Sequence, residues 1–91
     1  MRYIRFANGT VYPVDRCGAA DGRLRIRILP PIDFLDIASV VNDAANTARI
    51  EHYIDGSEVD HVIFEGYTAL DAMIYDGPGL LVILREAEAN D

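Results

Sequence analysis

Residues 30–47 read PPIDFLDIASVVNDAANT, and they decide the fold because they are the one helical segment in a chain otherwise punctuated like a set of hairpins. Phe34, Ile37, Ala38, Val41 and Ala45 recur at spacings of three and four, which makes a single apolar stripe at 3.6 residues per turn. Such a helix needs a sheet to cover. Pro30 and Pro31 end the preceding strand because neither can donate to a ladder, and Asp33 then offers its carboxylate to the free N–H groups of the first turn. Asp36, at the third helical position, adds a second acidic group at the positive end of the dipole. Asn46 is the expected left-handed terminator, with Thr47 turning the chain back to strand.

Immediately upstream, residues 23–29 alternate without an error, with Leu24, Ile26 and Ile28 inward and Arg23, Arg25 and Arg27 outward as a basic stripe. Residues 2–15 read as a tight hairpin about Asn8-Gly9, since a type I′ turn needs positive φ at both central positions. Pairing Ala7 with Thr10 places Ile4 and Phe6 against Pro13 and Val11, and sends Tyr3, Arg5, Tyr12 and Val14 to the other face. Pro13 marks either an edge strand or a bulge. Residues 16–22, RCGAADG, read as a small-residue loop.

Downstream, residues 48–54 and 59–64 flank Asp55-Gly56-Ser57-Glu58 as a second hairpin. One face collects Ile50, His52, Ile54, Val59, His61 and Ile63; the histidines are directly opposite with a Gly56-Ser57 turn and diagonal with an Asp55-Gly56 turn. Zinc sites take three or four ligands and that face supplies no third, so the pair reads as histidines at a sheet rim or subunit contact rather than a metal site. Gly66 permits a bend that Tyr67 covers. Residues 69–75 and 80–85 close a last hairpin about Asp76-Gly77-Pro78-Gly79. Residues 80–84 are apolar on both faces, the pattern of a central strand covered by the core on one side and by a partner on the other. Residues 86–91 read as a frayed acidic tail.

The pattern predicts an α+β, mainly β fold in one domain over residues 1–91: an antiparallel β-sandwich or small barrel of about seven strands with one α-helix, in the order βββαββββ. A chain of 91 residues can bury roughly 60–65 % of its unfolded surface around one core. The longest aliphatic run, residues 80–84, is far short of a membrane span, and Met1 is followed by Arg2 and Arg5 without an apolar leader, so a cytosolic, membrane-free protein is expected. Cys17 is the lone cysteine, which excludes an internal disulfide and a thiolate cluster and leaves a bystander thiol.

Charge is unevenly distributed. Residues 1–29 carry six arginines against Asp15 and Asp21, a charge of +4; the remainder carries two arginines against thirteen acids, a charge of −11. Every basic residue is arginine, the cation that forms bidentate pairs with carboxylates. The arginine stripe lacks interleaved aromatics and the chain is acidic overall, which argues against a nucleic-acid partner and leaves cross-strand pairing with neighbouring acids, such as Asp71 or Glu51, or a partner surface. No GxSxG, P-loop, HExxH or CxxC occurs, and Ser39 and Ser57 have no evident base and orienting acid, so no catalytic residue and no cofactor are expected.

Phe6-Ala7-Asn8-Gly9, the helix over residues 33–42 followed by Ala45-Asn46-Thr47, and Gly66-Tyr67-Thr68-Ala69-Leu70 before a closing strand resemble a group of small proteins from the tail-module gene clusters of phages and prophages of Gram-positive bacteria. The resemblance spans residues 2–85 and departs at the short last turn, residues 76–79. It implies a virion or baseplate component, or an assembly factor, present in the bacterial cytoplasm during assembly. Its motifs are structural, with Asn8, Gly9, Asp33, Gly66 and Tyr67 as the positions that fix turns and caps. The leading expectation is therefore a non-enzymatic structural module acting through protein partners or self-assembly. Tyr3, Arg5, Tyr12, Arg23, Arg25 and Arg27 are its interface candidates, on a positive face that meets the negative face of another copy. The alternative is a small regulator or inhibitor that binds a host protein through its acidic side.

Overall fold

The structure, a computed structural model, describes residues 1–87, the side chain of Glu58 apart. Its elements are β1 (Arg2–Arg5), β2 (Val11–Ala20), β3 (Arg23–Ile28), α1 (Phe34–Val41), α2 (Ala44–Thr47), β4 (Arg49–Ile54), β5 (Ser57–Glu65), β6 (Ala69–Asp76) and β7 (Gly79–Arg85). All seven strands join one antiparallel sheet in the order β5-β4-β1-β2-β3-β7-β6. The mainly β class and the strand number are those the alternation predicts.

The sheet is strongly curled. Three residues, 66–68, connect Glu65 of one edge strand to Ala69 of the other, a reach of at most about 15 Å. A flat sheet would hold the same edges about 29 Å apart, six strand spacings. The two edges therefore approach each other around an open seam, and Gly66 helps to bridge it by donating to Ala48 O and accepting from Ala87 N. Gly66 has φ +87°, the left-handed conformation the bend requires, while Tyr67 packs on the core edge-on to Phe64. Of the two layerings open to the sequence, this is the barrel-like one.

Ile4, Phe6, Val14, Leu24, Ile26, Ile28, Ile50, Leu80, Val82 and Leu84 fill the concave side, and Ile37, Val40 and Val41 of α1 join the same cluster. Phe34 stacks on Tyr75 of β6 (5.8 Å between centroids), and Asn46 O accepts from Ala7 N. The helical segment thus crosses from the β6 edge to the β1–β2 hairpin. Asp33 caps α1 as expected, accepting from Asp36 N at 3.1 Å.

Several local expectations change. The helix is two helices, so the order is βββααββββ: Asp43 takes an extended backbone, its carboxylate accepts Ala45 N, and this local bond competes with continuing the ladder. Asn42 is the C-cap, Asn46 sits inside α2, Ala45 is exposed, and Val40 supplies the buried contact instead. At the first hairpin Phe6 N donates to Thr10 O and Gly9 N to Phe6 O, so the loop has three residues, ending in Gly9 at φ +90°. Asn8 Oδ1 holds the same loop from Thr10 N. That one-residue slip pairs Arg5 with Val11 and Ile4 with Tyr12, which turns Tyr12 and Val14 inward rather than outward.

Pro13 lies in a central strand, because β2 is flanked by β1 and β3. The predicted irregularity falls two residues later, where the ladder shifts between Val14 and Arg16. Residues 16–20, expected as loop, continue β2, and the turn is only Asp21-Gly22, at φ 55° and 74°. The β4–β5 ladder shifts between His52 and Ile54, so residues 58–61 pass a single partner, Tyr53. His52 consequently faces the core and His61 the outside; they do not share a face. Of the tail expected to fray, Glu86 N and Ala87 N are hydrogen-bonded to Gly22 O and Gly66 O, and residues 88–91 lie outside the described residues.

Candidate interaction surface

Strand alternation that buries Leu24, Ile26 and Ile28 necessarily projects Arg23, Arg25 and Arg27 from the convex face, and the same register there sets Tyr3 and Arg5 on β1. Tyr12 is not among them. It is half-buried, packs edge-on to Phe6, and donates its phenol to Asp36 Oδ2 at 2.8 Å, which ties β2 to α1. Burial and that carboxylate push its ionisation well above the ordinary tyrosine range.

Most of the arginine stripe is neutralised within the molecule. Arg27, whose side chain is 17 % exposed, bridges Asp15 Oδ2 (2.6 Å) and Asp76 Oδ2 (3.0 Å) and donates to Asp76 O (2.9 Å). Arg23 pairs with Asp71 at 3.1 Å, and Arg5 with Glu51 at 3.3 Å while lying over the Tyr53 ring. Arg25 and Arg16 have no ion pair or side-chain hydrogen bond among the described residues.

Beside Arg25 the convex face is apolar. Its neighbour Ile83 and the next outward residue of β7, Leu81, are half-buried, and Leu81 lies opposite Ile74 of β6, which is 51 % exposed. Gly18, across β2 from Arg25, adds no side chain. The expectation that β7 is apolar on both faces is met: Leu80, Val82 and Leu84 are buried inward, while Leu81 and Ile83 look outward over a stripe that continues to the free edge of β6.

A second cluster occupies the convex face of β1, β4 and β5. Glu51 accepts from Arg49, Arg5 and His61, and the Arg49 guanidinium, with His61 beside it, holds its carboxyl below the usual range. Tyr53 stacks on Tyr3 (5.6 Å) and meets His61 edge-on (6.4 Å). With Ser57, which bonds Asp60 at 2.9 Å, Arg5, Glu51, Tyr53 and His61 line an open depression of about 440 Å³. The β1–β4 register sets Tyr3, Arg5, Glu51 and Tyr53 together, and the β5 bulge turns His61 to join them; a bulge with no glycine or proline inside it leaves no sequence signal.

Among the described residues no three His, Cys, Asp or Glu side chains converge as metal ligands, and no helix is long and apolar enough to cross a membrane. Cys17 faces inward beside the core, and burial pushes its thiol up to about 12. Neither a scan against protein-family models nor searches of curated proteins and of solved structures finds a match to this chain.

Proposed function

We propose that this chain is a non-enzymatic interaction module, of the kind that builds phage or prophage tail and baseplate assemblies, and that it works through the convex face of β3, β7 and β6. The observation that carries this reading is the outward stripe Ile74, Leu81 and Ile83 beside Arg25, which has no ion pair among the described residues. A strand that presents aliphatic side chains on both faces gains from a partner on its outer side, and a charge rim around an apolar centre is the common anatomy of protein contacts. Three of the four convex-face arginines nominated from sequence are matched internally. The reading therefore places binding in the apolar stripe and gives Arg25 the orienting role.

Sedimentation velocity over a hundredfold concentration range at low salt, on the wild type and on Ile74→Asp, tests it. Half-exposed Ile74 tolerates the change, so the variant should remain folded and lose association. Identical profiles for the two proteins, each monomeric at millimolar concentration, would sink the self-assembly form of the proposal.

A further inference from the structure

On the reading that the convex face is an interface, we propose that its occupant is a second copy of this chain, docked head to tail through the exposed side of α1. At 100° per residue, Leu35 points away from the direction shared by Ile37, Val40 and Val41, and it is 79 % exposed. A short amphipathic helix has no folding reason to place leucine there. Asp33 and Asp36 stand within a turn of this apolar knob, and Asp43 lies beyond the far end of α1 at the start of α2. Two of them cap helices and the third accepts from Tyr12, and no arginine pairs with any of them among the described residues.

The two surfaces are complementary in kind. One offers an apolar knob with acidic neighbours, the other an apolar stripe beside Arg25 and Arg16, two guanidinium groups with no ion pair among the described residues. They cannot meet within one molecule, because α1 packs on the concave side of the sheet and the stripe lies on the convex side. A standard contact of about 800 Å² per partner would cover roughly 15 % of the 5231 Å² surface. The patches differ, so the contact is heterologous and each copy keeps one free knob and one free stripe, the arrangement that closes a ring or extends a filament. Charge sets orientation and encounter rate, and the apolar centre sets lifetime.

Two variants at exposed positions separate the halves of the contact: Leu35→Glu removes the knob, and Arg25→Glu reverses the charge beside the stripe. Circular dichroism and thermal melts first establish that both keep the wild-type fold; Leu35→Gln replaces the first variant if its melt shifts. Each variant alone should self-associate at least tenfold more weakly than the wild type. An equimolar mixture should form a discrete heterodimer at wild-type strength, since the charge-reversed copy still carries an intact knob and its partner an intact stripe. Raising salt from 50 to 500 mM should weaken that heterodimer. A mixture as monomeric as its components overturns the head-to-tail contact. Loss of association on Arg25→Glu, with Leu35→Glu behaving as wild type, also overturns it while leaving the convex face as the interface. A wild type that stays monomeric at millimolar concentration and low salt overturns the head-to-tail contact and, with it, the self-assembly form of the interaction module.

Discussion

His52 is 6 % exposed, and its Nε2 is a buried nitrogen without a hydrogen-bond partner among the described residues. It faces the core between Ile50 and Ile54, opposite Ile4 of β1 and Val62 of β5. Burial, and next the positive charge of Arg2, push its ionisation below the ordinary 6.5, against a smaller opposing pull from Asp60. The unfolded chain consequently binds this proton at a pH where the folded chain does not, so stability is lost as pH falls below 6.5. While the folded imidazole stays neutral, one such group removes about 1 kcal/mol per pH unit. His52→Leu fills similar volume, removes the unpartnered nitrogen and deletes that titration. Replacing an unsatisfied buried polar group by an apolar one of similar shape is near neutral to stabilising, within about 1 to 2 kcal/mol. Urea unfolding at pH 7.5, 6.5 and 5.5 checks both parts. The variant should equal or exceed the wild type at pH 7.5, and its advantage should widen as the pH falls to 5.5, by no more than about 1.4 kcal/mol per pH unit. Glu51, held ionised in the fold, contributes its own loss only below about 4.5, outside this window. A variant less stable than the wild type by 2 kcal/mol or more, with an unchanged pH slope, would mean that His52 makes a stabilising bond and titrates normally.

Asp33→Ala removes the carboxylate that accepts Asp36 N and should cost about 1 kcal/mol in urea unfolding, the usual scale of a lost N-cap. Gly79→Ala should be more damaging than a change at an exposed turn glycine, because the added methyl would stand 2.8 Å from Ile28 O, a backbone atom that cannot rotate aside; Gly56→Ala, with open space but φ +80°, is the comparison. Arg23→Ala should move the unfolding midpoint by no more than about 1 kcal/mol equivalent, since its pair with Asp71 is largely exposed and salt-screened. The Cys17 thiol should resist iodoacetamide at pH 8 in native protein and react promptly in urea, because burial keeps it protonated.

Strand alternation, the acid-capped helix start and the last two turns were legible because each depends on a few neighbouring residues. Leu24, Ile26 and Ile28 could face only one way, and Asp33 needed only the free amides ahead of it. The first hairpin failed on a single residue: Asn8-Gly9 fits both a two-residue and a three-residue loop, and the choice reversed the facing of Tyr12 and Val14. The β5 bulge reversed His61 relative to His52 in the same way. The outward side chains of β7 were foreseen from their own run. Their neighbour Ile74 follows from the legible turn by its pairing with Leu81, but its exposure was not legible, because β6 lies at the edge only in the order of the whole sheet. Internal pairing of Arg5, Arg23 and Arg27 depended on which strands became neighbours, and that ordering is a property of the whole sheet.

The N-terminal strand sits in the middle of this order. β1 forms ladders with β2 on one side and β4 on the other, and Met1 O accepts from Asp55 N at its far end. It is the stitch between a four-stranded block and a two-stranded one. During synthesis residues 2–5 must wait, paired on one side only, until the chain has grown past Ile54, so closure of the sheet is a late, non-local event of the kind that folds slowly. A deletion of residues 1–6 would accordingly cut the sheet in two instead of trimming it.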